Sequence, residues 1–424
     1  MIQPGNGSKY PSHPSKQILI TGGAGFIGSH LADALLASGH RVRVLDSLLP
    51  PLHPNGRPEY LSGAAELVRG DIRDPKRLRE VLPGVDIIFH LAATNGAGQP
   101  MDAISRSMSV NAQGTTALLQ AMLDFRVTPE KLIVASSMSI YGEGQYVCSV
   151  CSRQAFPDIR ASAQLQLGRW EVRCADCGGV LMPRPTHEAK PSAIHSIHAL
   201  SKRDQEDLCL LYGRTSGVPV TALRLFNVYG TRQTLSSPNP SVAALFAARL
   251  IRDQAPLVLE DGAQIRDLVS VHDVVRASLL AMERSESDGQ VINVGCGIPI
   301  TIRRIAQILA AALGKKIEPV ITQRFRAGDI RHCYADQTKA RRLLRYEPRV
   351  SHDQGLCELA EWLLQRQSEP QASRDRVPKT PQLQTRVTAC STNGNLMQAR
   401  LGRLDERWLS EDYAQSWPPE TSVQ

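Results

Sequence analysis

Two sets of residues in this 424-residue chain are spaced for chemistry. The first is Gly22-Gly-Ala-Gly25-Phe-Ile-Gly28, which follows the apolar run 18–20 and opens a stretch with Ile27, Leu31, Ala34 and Leu35 at helical spacing. Strand, glycine turn and helix N-terminus in direct succession form a phosphate cradle: Gly22 permits the tight turn, Gly25 admits a pyrophosphate, and Gly28 allows close packing. The second strand, Arg41-Val-Arg-Val-Leu-Asp46, ends in a carboxylate 18 residues after Gly28, the position from which an acid binds ribose hydroxyls. A 2′-phosphate would face that carboxylate, so Asp46 selects NAD over NADP. The second set is Cys148-Ser-Val-Cys151 and Cys174-Ala-Asp-Cys177, two CxxC units 22 residues apart, the pattern of two knuckles around a tetrahedral structural zinc. Four thiolates leave no open coordination position, so the zinc is expected to be structural.

Other polar residues fall where a ligand would lie. Asp71, past the third strand, is placed either to bind the adenine edge or to cap the helix that Asp74-Pro75 starts. The small side chains of Ala92 and Ala93 let a dinucleotide approach the fourth strand. Asn111 sits in a helical pattern over 101–125 and reads either as a cofactor contact or as a structural bridge from a helix irregularity. Ser136 and Ser137 end the fifth strand. His195, His198, Lys202 and Glu206 recur at three- and four-residue spacings within a helical pattern over 192–215, which places them on one helix face.

The elements that must position these groups alternate. Strands are expected at 18–20, 41–46, 66–69, 86–93, 131–137 and 218–227, with helical patterns between them, which implies a parallel sheet whose ligand edge lies at the strands' carboxyl ends. A seventh strand at 290–295 returns to that sheet, and further helices are expected at 302–313 and 353–366. Residues 143–190 interrupt the alternation with the cysteine pairs and proline-rich ends, as an inserted zinc module. The organisation expected is a disordered lead-in over 1–16, a dinucleotide-binding domain over 17–142 and 191–230, a substrate-binding domain over 231–366, and a largely disordered tail over 367–424 with a weak helix at 398–409. With 42% hydrophobic residues, 5% aromatics and no apolar run of membrane-spanning length, composition suits an aliphatic α/β core. The N-terminus lacks the regions of a signal peptide, so a cytoplasmic protein without disulfides is expected. The net charge of +8 is not gathered into a basic, aromatic-laced run, which argues against nucleic-acid binding.

Taken together, Thr21-Gly-Gly-Ala-Gly-Phe-Ile-Gly28, His90-Leu-Ala-Ala93, Ser136-Ser137 with Tyr141-Gly142, Ser201-Lys202, Leu223-Arg-Leu-Phe-Asn-Val-Tyr-Gly230, Arg266-Asp267 and Arg326-Ala-Gly-Asp329 resemble the extended short-chain dehydrogenase/reductase family. That family holds sugar-nucleotide epimerases and dehydratases, and the match covers about residues 17–366. The cysteine insertion with Phe325-Arg-Ala-Gly-Asp-Ile-Arg-His332 is similar to its dTDP-L-rhamnose 4-epimerase-like subgroup. The resemblance implies a Rossmann-type doubly wound parallel sheet, and a homodimer through the helices near 101–125 and 192–215. It implies a cofactor site that adds Phe26, Ile27, Ile72, Leu91 and Lys202 to the residues above. It makes Ser137 the catalytic hydroxyl, gives Lys202 the nicotinamide ribose, and assigns Asn227, Arg266 and Arg326 to the substrate, the arginines to its diphosphate. Arg266 with Asp267 also reads as a surface ion pair.

Two positions depart from the pattern. Dehydratases carry an Asp-Glu pair after the catalytic hydroxyl, where this chain has Met138 and Ser139. The family's catalytic tyrosine lies four residues before the lysine, where this chain has His198. Imidazole suits proton transfer, so His198 is read as the base, with His195 or Tyr141 as substitutes and lost catalysis as the remaining option. The expected function is an NAD-dependent 4-epimerase of a dTDP- or UDP-linked sugar. The alternatives are a reductase or dehydrogenase of such sugars, and a catalytically impaired nucleotide-binding scaffold.

Overall fold

The computed structural model describes residues 14–50, 52–94, 102–233 and 241–368; the lead-in before residue 14 and the tail beyond 368 lie outside the described residues. The strands β1 (Gln17–Thr21), β2 (Arg41–Asp46), β3 (Glu66–Arg69), β4 (Ile87–His90) and β5 (Lys131–Ser137) alternate with helices α1 (Phe26–Ala37), α2 (Pro75–Val81), α3 (Asp102–Ser107) and α4 (Gly114–Asp124). Next come the insert strands β6 (Gln145–Cys148) and β7 (Gln154–Ala155), the short α5 (Ser162–Gln166), β8 (Leu181–Arg184) and the long α6 (Ile197–Ser216). The chain continues through β9 (Val220–Leu225), β10 (Asn227–Tyr229), α7 (Val242–Ile251), β11 (Leu257–Val258), β12 (Ile265–Ser270) and α8 (Val271–Glu283). It ends in β13 (Gln290–Val294), β14 (Pro299–Thr301), α9 (Ile302–Ala312), β15 (Val320–Ile321), α10 (Thr338–Leu344) and α11 (His352–Ser368).

Seven parallel strands form the central sheet in the order β13-β9-β5-β4-β1-β2-β3. The order reverses between β1 and β4, which opens a crevice at the carboxyl ends of these two strands, where α/β sheets bind ligands. Apolar residues of α1, α8 and α10 cover one face, including Leu31, Leu35, Val274 and Leu344. Leu78 of α2, Leu118 and Met122 of α4 and Cys209 of α6 cover the other. The central strands β4, β5 and β9 are buried on both faces, as continuous runs such as Leu-Ile-Val-Ala require, whereas β2 and β3 toward the edge keep exposed positions. A second core joins α7, α9 and α11 through Phe246, Leu309 and Leu359. Near the carboxyl ends, β10 and β14 flank β12 in a three-stranded sheet.

The insert is a three-stranded antiparallel sheet in the order β7-β6-β8 around a small core of Tyr146, Cys148, Val172, Cys174 and Leu181. Its return arm is not separate from the rest, because Thr186 bridges Ala335 and accepts from the Asp336 N–H.

Several elements differ from the periodicity. The helix expected over 101–125 is broken by a π-helical stretch, Met108–Gln113, between α3 and α4. The helix expected from residue 192 begins at Ile197, because Ser196 caps it by accepting from the Ala199 N–H; His195 therefore stands outside the helix face shared by His198, Lys202 and Glu206. The sixth strand is two, β9 and β10, which part at Phe226 and join different sheets.

Candidate active site

The glycine turn is built as its spacing predicts. Gly22 has φ +73°, and a Cβ there would lie 2.8 Å from Ala92 N; one on Gly28 would lie 2.5 Å from Gly22 O. Gly25 meets only Gly22 O, at 3.3 Å, so its outer side is open. Phe26 and Ile27, half-buried, begin α1. Asp46 reaches into this turn: Oδ2 accepts from Ala24 N–H at 3.0 Å and Oδ1 from Leu48 N–H at 2.9 Å. Tyr60 donates its hydroxyl to Ala24 O. Leu91 and Ala92 are half-buried and Ala93 exposed along the end of β4, where Ala92 N–H donates to Thr21 Oγ1. The cradle and the carboxylate beside it fit a dinucleotide.

Asp71 and Ile72 follow β3. Asp71 pairs with Arg73, whose hydrogen bonds outweigh partial burial and hold the carboxyl below its ordinary range. The helix cap is Asp74, which accepts from Lys76 N–H, so Asp71 does not serve that role. Ile72 is buried against Gly114. Asn111 is fully buried within the π-helical stretch; its Oδ1 accepts from Thr94 N–H, and its Nδ2 donates to Thr94 O and to Ser201 Oγ. The widened turn is what aims the amide across at α6.

α6 packs on β5 and presents a row of polar contacts. Lys202 Nζ donates to Ala135 O and to Gln205 Oε1, both at 2.8 Å. Burial pulls the amine down to about 8. An ammonium has three donors, so one remains for a ligand. Gln205 passes on to His90 Nε2, and His90 Nδ1 lies 2.7 Å from Thr21 Oγ1 at the start of the glycine turn. His90, fully buried, is lowered to about 3 by burial and then by the Lys202 charge. Glu206 binds Ser136 Oγ and forks onto Arg224, which directs Ser136 away from the ligand edge. Gln205 is a site-supporting residue that motif reading passed over, with its i, i+3 relation to Lys202 as the signal available; Ser201 and His90 stand in the matching motifs but were given no role there.

Ser137 caps the short turn Met138–Tyr141. Its Oγ accepts from Ser139 N–H at 3.2 Å and from Ser139 Oγ at 2.9 Å. With both acceptor sites used, its own O–H is left to donate outward. His198 is held down to about 4, first by burial and second by the Lys202 charge, against a hydrogen bond to the Thr94 backbone; its Nδ1 is buried without a partner. It is neutral at pH 7. Tyr141 is fully buried, donates its hydroxyl to Asn293 Oδ1 and is raised well above the ordinary phenol range by burial. His195 packs on Gly142, with Nε2 3.1 Å from Asp158 Oδ1 of the insert.

On the opposite wall, Asn227 begins β10 with Oδ1 buried and unpartnered, an acceptor awaiting a donor. Arg266 spends its fork within the protein: Nη1 donates to Ile265 O and Arg331 O, and Nη2 to Ile330 O and, at 3.4 Å, to Asp329 Oδ1. Asp267 does not pair with it; fully buried, it accepts from the N–H groups of Cys296, Gly297 and Ala335. Arg326 is half-buried in the loop closed by the Asp329 N–H to Arg326 O bond.

The four insert cysteines converge. Their Sγ atoms all lie within 4.8 Å of one another, with Cys148 to Cys177 at 3.4 Å and Cys151 to Cys174 at 3.8 Å. A tetrahedron with ~2.3 Å metal–sulfur bonds has edges of about 3.8 Å, so the cluster is close to the size that a zinc ion requires. The Val150 and Cys151 N–H groups donate to Cys148 Sγ, and a Cβ on Gly179 would approach that sulfur at 3.1 Å.

Comparison with known proteins agrees with this geometry. The family model described as the NAD dependent epimerase/dehydratase family matches residues 18–158 and 178–295. The dTDP-L-rhamnose 4-epimerase of Burkholderia thailandensis is 34% identical over 354 residues, covering 82% of this chain and 95% of the relative. The UDP-N-acetyl-alpha-D-glucosaminuronate decarboxylase of Bacillus cytotoxicus is 30% identical over 82% of this chain and 97% of its own length. Among solved structures, the UDP-glucose 4-epimerase of Thermotoga maritima with UDP-glucose superposes with a TM-score of 0.68 at 30% identity, over 83% of this chain and 100% of that one. The Bacillus cereus UDP-glucuronic acid 4-epimerase with UDP-glucuronic acid and NAD does so with a TM-score of 0.65 at 27% identity, over 82% and 99%. On these matches and on the glycine cradle, Asp46 and Lys202, the chain belongs to the NAD-dependent epimerase/dehydratase family.

Proposed function

We propose that the chain is a 4-epimerase of a dTDP- or UDP-linked sugar that keeps its NAD bound through the cycle. The observation that carries the reading is the setting of Ser137. Where a dehydratase places an acid, Ser139 instead fills both acceptor sites of Ser137 and turns its O–H outward, as a hydrogen bond to a sugar oxygen requires. Bound NAD would supply a hydride acceptor and donor at the nicotinamide. Gly22, Gly25, Gly28 and Asp46 would hold the cofactor, and Lys202 would direct its third N–H at the ribose. His198, neutral and one turn before Lys202, would take the proton of the sugar hydroxyl as it becomes a ketone and return it after the sugar turns over. An imidazole is shorter than the phenol it replaces by about 2 Å, so a bridging water fits this transfer. Asn227 and Arg326 would hold the substrate.

The cysteine cluster is read as one structural zinc, closed to substrate. For a homodimer, α4 and α6 offer Leu123 and Leu211, each more than half exposed. No helix among the described residues is long and apolar enough to cross a membrane.

The test is incubation of purified protein with a panel of dTDP- and UDP-sugars, followed by NMR at the sugar C4. Inversion at C4 with stoichiometric bound NAD and no consumption of added cofactor supports the reading. Steady consumption of NADH favours the reductase instead. Nucleotide binding without turnover favours the scaffold.

A further inference from the structure

Between the insert and the substrate wall lies a buried lattice of charge. Arg331 is fully buried, and its guanidinium donates to Glu260 at 2.8 Å, to both Asp261 oxygens at 2.7 and 2.9 Å, and through Nε to Glu171 of the insert at 3.1 Å. Arg160, also from the insert, forks onto Glu260 at 2.9 and 2.8 Å and donates to Trp170 O and Asp329 O. Glu143 takes the backbone N–H groups of Arg331 and His332 and the hydroxyl of Tyr146. His332 Nδ1 accepts from Ile265 N–H, so the ring's proton is on Nε2, which donates to Glu171 Oε2 at 3.0 Å.

The lattice converges on one short segment. The carbonyls of Asp329, Ile330 and Arg331 are held in succession, the first by Arg160 of the insert and the next two by Arg266. Trp170 of the insert meets the Phe325 ring at 6.4 Å. Residues 325–332 are therefore fixed on one side by the insert and on the other by β12, and Arg326 rides on the segment so held.

We propose that the insert is a brace for the diphosphate end of the substrate site, with Arg160 and Glu171 as positioning residues that hold residues 325–332 and thereby Arg326. The inference rests on the reading of the substrate as a nucleoside-diphosphate sugar. Geometry supports an effect on binding over an effect on hydride transfer, because the lattice touches the Arg326 loop and Arg266, whereas Ser137, His198 and Lys202 are held by β5 and α6. The lattice adds side-chain contacts to the backbone bonds that already join the insert ends to the body, Gly144 N–H to His332 O at one end and Thr186 N–H to Tyr334 O at the other.

Two variants test this in the full-length, NAD-loaded protein. Glu171 is partly exposed, so Glu171→Gln leaves no buried charge newly stranded and should fold. Arg160→Lys keeps a cation opposite Glu260 but cannot also reach Asp329 O, because an ammonium on a flexible stem lacks the planar fork. Binding of UDP and dTDP is read by calorimetry, KM and kcat with the turned-over sugar, and backbone amide exchange over residues 325–332 by mass spectrometry. The expectation is affinity for UDP or dTDP and KM weakened about tenfold, kcat within about twofold, bound NAD unchanged, and faster exchange confined to that segment, on the scale of one lost charge-assisted hydrogen bond. Unchanged affinity and unchanged exchange in variants that retain NAD overturn the brace. A wild-type protein that binds neither nucleotide overturns the substrate reading and the brace with it, so the two failures are distinguishable.

Discussion

Asn111 Nδ2 donates to Ser201 Oγ at 2.9 Å, a bond across 90 positions of sequence that lands on α6 between His198 and Lys202. The same amide closes a ring with both polar groups of the Thr94 backbone. One side chain thus sets the end of β4 and the height of the helix that carries both candidate proton-handling residues. Asn111→Leu leaves the Thr94 N–H and C=O without their partner and takes one of the two bonds from Ser201 Oγ, which keeps His198 O, at a cost on the order of 2–4 kcal/mol. Because small misplacements of catalytic groups are expensive, kcat should also drop about tenfold or more. Urea denaturation and steady-state kinetics on the same preparation check both; an unshifted midpoint would show the clamp to be idle.

The proton-transfer assignment predicts a pH profile. His198 must be neutral and Lys202 charged, so kcat/KM should fall on the acid side as His198 protonates through about 4, and on the alkaline side as Lys202 deprotonates through about 8. His198→Phe should reduce kcat by about 100-fold or more, the usual worth of a positioned acid–base group, with NAD content unchanged. If wild type is inert and His198→Tyr gains turnover, His198 is not the base.

His90 makes stability depend on pH. Its folded pKa of about 3 lies below the unfolded 6.5, so above pH 6.5 neither state is protonated and the stability is fully present. Below 6.5 the unfolded chain binds a proton that the folded one refuses, and stability falls by up to about 1.4 kcal/mol per pH unit for this residue until pH approaches 3. Unfolding free energies at pH 7, 6 and 5 should decline, and His90→Gln should flatten the slope by about one proton. Parallel slopes in the two proteins would contradict this.

Metal removal should be local in its structural effect. Purified protein is expected to contain one zinc per chain and Cys148→Ser to contain none. After chelation, limited proteolysis should cut within residues 143–190 first, since the insert core is only Tyr146, Cys148, Val172, Cys174 and Leu181. Identical cleavage patterns with and without chelator would rule out a structural metal.

The central sheet was legible because its signals are local and repeated. The glycine turn, Asp46 at the end of β2 and the aliphatic runs of β4 and β5 each carry their own strand or turn logic, and β13 was recognisable as a return to the first sheet. The convergence of the cysteine pairs was equally plain, since CxxC spacing is a local property. Three kinds of feature were not fully legible. The π-helical stretch was legible only as the irregularity that Asn111 hinted at; its kind and extent are invisible to periodicity because an extra residue in the turn shifts the register without changing composition. The start of α6 depended on Ser196 taking the cap, which a longer helical pattern obscured. The lattice of Arg160, Glu171, Glu260 and Arg331 joins residues up to 171 positions apart, and nothing in the sequence around each arginine says which acid will face it. Arg266 shows the limit of motif reading: its neighbour Asp267 turned to backbone N–H groups, while its own fork took carbonyls and the Asp329 carboxylate.

The position of β13 has a consequence for how the chain is made. This strand covers the open edge of β9, but 64 residues separate Leu225 from Gln290. At translation rates of roughly 5–20 residues per second, β9 waits for roughly 3–13 s as an exposed parallel edge while the chain between the two strands is still being synthesised. During that interval the nascent sheet has an unpaired row of backbone groups, the kind of edge that pairs with the wrong strand. Truncations that stop before residue 290 would make the delay permanent, and should aggregate even though every residue of the glycine cradle and of α6 is present.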